Sequence, residues 1–261
     1  MVILLLNCTV KMKTLKEIFV EIIDAPIRDL YDNKYLLKIM SDIGIFSDFE
    51  GYCFPKNEGF YVPPRLEEEI REAVSEHAPR NRFFLDSYHS IYDRCCVSSK
   101  GRMIQKRGEV LEFIKYVREK DIKKYGEVGV WRGGLFTMMT ALLIRYNKNF
   151  ELSVAVDPKD VDLDFIGEYC TLDYYCTSEE VSDVFDLCFI DGDHTYDWVR
   201  KDWNNVGVNS AIVAFHDIKH HSLPGVTRCW EEVSRHLPSV EFVHPPINVM
   251  GIGVVVNRGS L

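Results

Sequence analysis

The sequence predicts a doubly wound α/β fold, a mostly parallel sheet with helices on both faces, preceded by a mostly helical extension. From Arg107 onward, short apolar runs alternate with amphipathic helical patterns, the arrangement that builds parallel sheets through helical crossovers. Several runs end at an acid or a glycine, the residues expected at the ligand-bearing ends of such strands. Residues 12 to about 105, by contrast, show no strand alternation. The predicted organisation is therefore an extension over residues 1–105, serving as a substrate lid or a dimerisation element, and a ligand-binding domain over residues 106–261.

In the extension, Leu15, Ile18, Phe19, Ile22 and Ile23 recur at helical spacing, and so do Leu36, Ile39, Met40 and Ile43. GYCFPKNEGFYVPP (51–64) reads as a loop, and Pro63-Pro64 before RLEEEIREAVSEH as a helix start with early acids. Residues 78–102 read as irregular. In the second region, GEVLEFIKYVREK predicts a helix, Tyr125 to Val130 a strand, Gly133 to Tyr146 a helix and Leu152 to Val156 a strand. A weak strand follows near Tyr174 to Cys176, then a strand at Leu187 to Ile190 and a helix at Tyr196 to Asn204. Ala211 to Phe215 (strand), Pro224 to His236 (helix), and strands at Val240 to Val243 and Gly251 to Val256 close the pattern.

The chain has 261 residues and a net charge of −9, with both signs mixed throughout, which argues against a general nucleic-acid binder. Its eight cysteines form no C-x-x-C pair and read as reduced thiols. The apolar run at the N-terminus is too short to span a bilayer, so the expectation is a cytoplasmic protein without a membrane segment.

Four strand ends carry chemistry. GEVGVWRGG follows the first strand; Gly133 and Gly134 would let backbone approach a ligand at a helix start. Trp131 stands where a dinucleotide fingerprint needs its second glycine, which disfavours a pyrophosphate. Glu127, an acid inside an apolar strand, needs a partner, either a ligand ammonium or water at an exposed edge. Asp157 ends the second strand and either accepts ribose hydroxyls or simply makes an Asp-Pro turn. Together these features favour a nucleoside that carries an amine and lacks a pyrophosphate, a description that S-adenosylmethionine meets.

Asp191 ends the fourth strand, and His216-Asp217 end the fifth. If those strands are neighbours, two carboxylates and an imidazole converge and call for a divalent cation: Mg²⁺ on the oxygens, or Mn²⁺ or Fe²⁺ with a histidine ligand. Asp193 either joins that site or caps the helix beginning near Tyr196. His194 is a candidate general base, its ordinary pKa lying near working pH. Lys219, His220 and His221 read either as a loop over the mouth or as a solvated basic loop.

Taken in order, GEVGVWRGG, VAVDP, FIDGDHTYDWVRKDW, AIVAFHDI, PGVTRCWEEV and GIGVVV resemble the class I S-adenosylmethionine-dependent methyltransferases. Within them, the branch with macrocin O-methyltransferase-like and cephalosporin-hydroxylase-like proteins is the most similar. The resemblance implies a Rossmann-like sheet of seven strands, the last antiparallel. It implies that Glu127, Gly129 and Gly133 lie by the methionine part of the cofactor, Asp157 by its ribose, and Asp191 at both cofactor and metal. It implies Mg²⁺ held by Asp191, His216 and Asp217. Catechol-type relatives carry a lysine base three residues beyond the first metal-binding Asp; here that position holds His194, the expected catalytic residue. VGVNSA replaces the usual Pro-Gly-Gly turn before the fifth strand, so Asn209-Ser210 are expected to make the turn.

The expected activity is metal-assisted O-methylation of a small hydroxylated acceptor by a possible homodimer. Phe54, Phe60, Tyr61 and Tyr88 are candidates for an acceptor pocket or for core packing. The alternatives are a cofactor-binding relative with other metal-dependent, hydroxylase-like chemistry, or a non-catalytic binding protein on the same scaffold.

Overall fold

The computed structural model describes residues 13–44, 102–220, 223–243 and 250–257. The expected loop at 51–64, the helix after Pro64, the acceptor-pocket aromatics and His221 lie outside the described residues. The elements are α1 (Leu15–Asp24), α2 (Asn33–Ile43), α3 (Arg107–Val117), β1 (Lys124–Val128), α4 (Gly134–Tyr146), β2 (Leu152–Val156), β3 (Thr171–Tyr175) and β4 (Leu187–Ile190). Then come α5 (Tyr196–Asp202), β5 (Ile212–His216), α6 (Pro224–Ser234), β6 (Ser239–Phe242) and β7 (Ile252–Val256).

The strands form one seven-stranded sheet in the order β3-β2-β1-β4-β5-β7-β6. β1 to β5 run parallel, and β7 pairs antiparallel with both β5 and β6. This is a doubly wound, Rossmann-like α/β fold. The strand order reverses between β1 and β4, and a switch of that kind opens a crevice at the carboxyl ends of the strands.

The two faces of the sheet follow the two-residue side-chain period of a strand. Leu187, Phe189, Ile212 and Ala214 join one core with α1, α2, α3 and α4. Cys188, Ile190, Val213 and Phe215 join the other with α5 and α6. Asp191 and His216 thus leave the ends of strands buried on both faces, which gives the crevice a rigid floor.

α1 begins with a capping box: the Thr14 hydroxyl accepts from the Glu17 N–H, and the Glu17 carboxylate accepts from the Thr14 N–H. Its buried stripe, Ile18, Phe19 and Ile22, belongs to the same core as α4 and the sheet, so residues 13–44 pack into the sheet domain. Phe19 meets Phe165 and Tyr169 edge-on at 5.5 and 5.1 Å. Phe19→Ala is expected to cost about 3–5 kcal/mol by emptying this position. Denaturant unfolding followed by both far-UV circular dichroism and tryptophan fluorescence should show that loss in one shared transition.

One connection differs from expectation. The helix predicted to Asn204 is α-helical only to Asp202; a π-turn over Trp203–Gly207 then widens it. The Trp203 ring lies where a Cβ on Gly207 would have to be, at 2.6 Å, so the bulky core residue and the glycine go together. The turn before β5 falls at Asn209-Ser210 as expected: the Ser210 N–H donates to the Gly207 carbonyl (3.0 Å), with Val208 and Asn209 between them and neither in left-handed backbone. The Asn257 side chain adds to it, reaching across from the end of β7 to donate to the carbonyls of Gly207 (3.0 Å) and Ser210. Among the described residues Cys170, Cys176, Cys188 and Cys229 are free thiols, and no helix is long and apolar enough to cross a membrane.

Candidate active site

A cavity of about 590 Å³ opens at the switch in strand order. Residues after β1 (Gly129, Trp131), β2 (Asp157 to Lys159), β3 (Cys176 to Ser178), β4 (Asp191 to His194) and β5 (Asp217) line it, with Glu127 and His216. Its size falls within the range of small-molecule and cofactor sites.

Glu127 is 2 % exposed on β1 and accepts a hydrogen bond from the Tyr125 hydroxyl two residues away on the same face. Burial raises its pKa well above the ordinary carboxylate range; the Tyr125 bond opposes this, and the charges of Asp191 and Asp157 add to it. It lines the cavity and is buried within the sheet, not at an exposed edge.

Asp157 accepts from the Trp131 N–H on one oxygen (2.7 Å) and the Lys159 N–H on the other (2.8 Å). The first bond holds Trp131 in left-handed backbone, φ 52°, a conformation uncommon for a bulky residue. Asp157 therefore supplies the compensation that lets a tryptophan stand at a glycine position. Asp157→Asn keeps one acceptor and is expected to cost about 1–3 kcal/mol, since bonds to a charged group are the stronger ones. A thermal melt without ligand checks this.

The glycines serve the protein more than a ligand. A Cβ on Gly129 would meet the Asp191 carbonyl oxygen at 2.1 Å, and one on Gly134 the Arg102 carbonyl oxygen at 2.2 Å. Gly133, with φ +77°, faces Leu15, Val161 and Leu163. Gly129 lines the cavity, whereas Gly133 and Gly134 do not. At the helix start the close approach that the structure shows is of protein segments to each other.

β4 and β5 are hydrogen-bonded neighbours, so Asp191, His216 and Asp217 do converge. His194 Nε2 lies 3.0 Å from Asp217 Oδ2 and 3.5 Å from Asp191 Oδ1. His216 Nδ1 lies 3.1 Å from the same Asp191 oxygen and 3.3 Å from the same Asp217 oxygen. Asp217 reaches this position through left-handed backbone, φ 60°. His216 is 2 % exposed and stacks on Phe189, while His194 opens toward solvent.

The four groups set one another's charge. Burial opposes ionisation of Asp191 and Asp217, yet the charge of His216 and the hydrogen bonds from both histidines hold both carboxyls below their usual range. Burial likewise opposes a charged His194, but its hydrogen bonds to Asp191 and Asp217 push its pKa up to about 10. His216 is raised well above its ordinary value by the two carboxylates, against its burial.

This cluster suits a cation. The ligand atoms of Asp191, His194 and Asp217 lie within 4.8 Å of one another. The nitrogen–oxygen spacings of 3.0–3.5 Å match the ~3 Å between adjacent ligands of an octahedral ion with ~2.1 Å bonds. Asp217 Oδ1 and His216 Nε2 are buried without a hydrogen-bond partner among the described residues. The expected ligand set was Asp191, His216 and Asp217; the three whose ligand atoms group this closely are Asp191, Asp217 and His194, which had been assigned only as a base.

Asp193 does not join. It is exposed, and its Oδ1 accepts from the Thr195 N–H at 2.8 Å, closing the turn into α5. The helix cap itself is Thr195. α5 contributes to the cavity as well, because Trp198 and Asp202 line it. Asp202 is 5 % exposed and accepts from Ser178 Oγ at 2.6 Å, and burial raises its pKa. Gln105 also lines the cavity. Nothing in its local sequence marks it, since its partner Asp191 is 86 positions away.

No family model matches the chain, and no curated protein matches it. Solved structures do. One is the O-methyltransferase TomG from Streptomyces achromogenes, involved in tomaymycin synthesis, in complex with S-adenosylmethionine. It shows 11 % identity and TM-score 0.44 over 77 % of this chain and 92 % of that one. Another is an O-methyltransferase from Bacillus cereus in complex with S-adenosylhomocysteine, with 12 % identity and TM-score 0.43 over 74 % and 100 % of the two chains. A third is the S-adenosylhomocysteine-bound Podospora anserina methyltransferase PaMTH1, at 13 % identity, TM-score 0.41, and 80 % and 99 % coverage. At such identities and scores they assign no function to this chain.

Proposed function

We propose that this protein is an S-adenosylmethionine-dependent methyltransferase that carries out metal-assisted O-methylation of a small hydroxylated molecule. One observation carries the reading: a single cavity holds Glu127 and Asp157 at the ends of β1 and β2, and the two-carboxylate, two-histidine cluster at the ends of β4 and β5. The first pair suits an amine-bearing nucleoside, the second an oxygen that must lose a proton. The crevice at the switch in strand order keeps both within one enclosure.

The residues divide the work as follows. Glu127, buried and hydrogen-bonded to Tyr125, would meet the ammonium of the cofactor's methionine part. Each Asp157 oxygen has a second lone pair beyond its backbone bond, and these would take the ribose hydroxyls. Gly129 keeps the β1 turn close against Asp191, which sets the two halves of the site at a fixed separation.

Asp191 and Asp217 would hold a divalent ion, Mg²⁺ by their oxygen chemistry, together with His216 or His194. When bound, S-adenosylmethionine supplies an electrophilic methyl group, and the cation supplies a charge that lowers the pKa of a neighbouring hydroxyl. His194 is the member of the cluster most open to the mouth and would take the acceptor's proton. It can do so only after giving up the proton that Asp191 and Asp217 now stabilise. The remaining contribution is positional: acceptor oxygen and methyl carbon share one small volume. The mixed, net acidic charge favours a small acceptor over nucleic acid.

Transfer of a labelled methyl group from S-adenosylmethionine to hydroxylated acceptors, with Mg²⁺ and with EDTA, tests the reading. The expected result is Mg²⁺-dependent labelling of product. A second reading has one observation behind it: two histidines beside two carboxylates also suit Fe²⁺ and hydroxylase-like chemistry. Cofactor binding with no label transferred to any acceptor would favour that reading.

A further inference from the structure

The short segment Arg102–Lys106, which leads into α3, is pinned to three parts of the fold. The Arg102 N–H donates to the Gly44 carbonyl at the end of α2 (3.0 Å), and Arg102 Nη1 donates to the Lys13 carbonyl just before α1 (2.6 Å). The Gly134 N–H, at the start of α4, donates to the Arg102 carbonyl (3.0 Å). Gly134 must be glycine for this, because the Arg102 oxygen would lie 2.2 Å from a Cβ there. The segment therefore has little freedom where it crosses the cavity wall.

Three residues further on, Gln105 is 6 % exposed and its Nε2 donates to Asp191 Oδ2 at 2.5 Å. The assignment of nitrogen to that side follows from chemistry: an ionised carboxylate only accepts, so the amide must present its N–H. The other Asp191 oxygen, Oδ1, faces His216 and His194 at 3.1 and 3.5 Å. The two oxygens of Asp191 thus have separate duties, Oδ2 to Gln105 and Oδ1 to the cluster. The terminal torsion of an aspartate is broad and two-fold, so without a donor on Oδ2 the carboxylate could swing or offer both oxygens inward.

We infer that Gln105 is a positioning residue of the cation site, holding Asp191 so that it presents a single, fixed oxygen to the ion. This rests on the metal-binding part of the proposed function. Gln105 touches neither of the reacting atoms and acts through Asp191. Its anchoring also ties the alignment of Asp191 to α1, α2 and the glycine loop, three elements that contribute no ligand of their own.

The test is a Mn²⁺ titration of the whole protein followed by electron paramagnetic resonance, comparing wild type with Gln105→Met and Gln105→Ala. Gln105→Met fills nearly the same volume and removes the amide, and with it the donor to Asp191. Isothermal titration with S-adenosylhomocysteine and a thermal melt are run on the same samples. Partners that orient a ligand typically govern affinity ~10–100-fold, so both variants should bind Mn²⁺ at least ~10-fold more weakly. S-adenosylhomocysteine affinity should stay within ~2-fold, which a general structural role for Gln105 would not allow. If either variant is folded and binds Mn²⁺ as tightly as wild type, the inference is overturned and the metal reading stands. An equal fall in both affinities would also overturn it. If wild type binds no Mn²⁺ at millimolar concentration, the metal reading fails and takes this inference with it.

Discussion

Replacing Asp217 by asparagine is expected to slow methyl transfer at least ~100-fold, equivalent to ~2.7 kcal/mol of lost transition-state stabilisation, while S-adenosylhomocysteine binds within about threefold of wild type. The choice of asparagine matters. Asp217 sits in left-handed backbone, φ 60°, a region that asparagine tolerates better than other non-glycine residues. Asp217→Asn therefore removes the charge and leaves the turn. Asp217→Ala would add about 1–2 kcal/mol of backbone strain and blur the two effects. With the carboxylate gone, His194 and His216 keep Asp191 alone as an acidic partner, and the cluster loses one of its two anionic ligands. Rates with Mg²⁺ and with EDTA check the outcome. Wild-type turnover that is unchanged in EDTA would remove the cation from the mechanism, and unchanged turnover in Asp217→Asn would remove the residue.

Glu127→Gln should separate binding from stability in opposite directions. Cofactor affinity should fall ~10–100-fold, the usual worth of a hydrogen bond to a charged group. The ligand-free protein should melt at a higher temperature at neutral pH. The sign follows from linkage. The folded-state pKa of Glu127 is raised well above its unfolded value. Stability from this group is therefore complete below the unfolded pKa, near 4.5, and is lost as pH rises through the folded pKa. At neutral pH an unfolded chain releases the proton that the folded chain retains, and glutamine carries no such cost. Glutamine can still accept from Tyr125, so the buried hydroxyl keeps its partner. Melting both proteins from pH 4 to pH 8 tests this: the gap should widen as pH rises. A gap independent of pH would show that Glu127 is not held above its ordinary pKa.

The fold was readable wherever a local period decided it. Leu187 to Ile190 and Leu152 to Val156 are strands with the expected limits, because continuous apolar runs bounded by turn residues leave few options. β3 was only half visible, since Thr171–Tyr175 is a partly exposed edge strand with no apolar run to mark it. The π-turn after Asp202 was invisible because it depends on one ring fitting over one glycine, Trp203 over Gly207. The turn before β5 was legible at Asn209-Ser210, but its side-chain partner Asn257 was not, because that residue lies beyond the last strand.

The site followed the same division. Glu127, Asp157, Asp191, His194, His216 and Asp217 were legible because each sits at or near a strand end, and strand ends of this fold share one mouth. How they divide the work was not. Asp157 bonds two backbone N–H groups and holds Trp131, which a turn residue in isolation does not announce. Gly133 was expected at a ligand and faces Leu15, Val161 and Leu163, because a glycine's role depends on what approaches it. Gln105 and Asp202 carry no local signal and emerge only when distant segments are brought together.

If the cavity at the switch in strand order holds S-adenosylmethionine, as proposed, isothermal titration of the wild-type protein with S-adenosylhomocysteine should give saturable binding with one molecule per chain, weakened in Glu127→Gln. No heat of binding at millimolar S-adenosylhomocysteine or S-adenosylmethionine would contradict it.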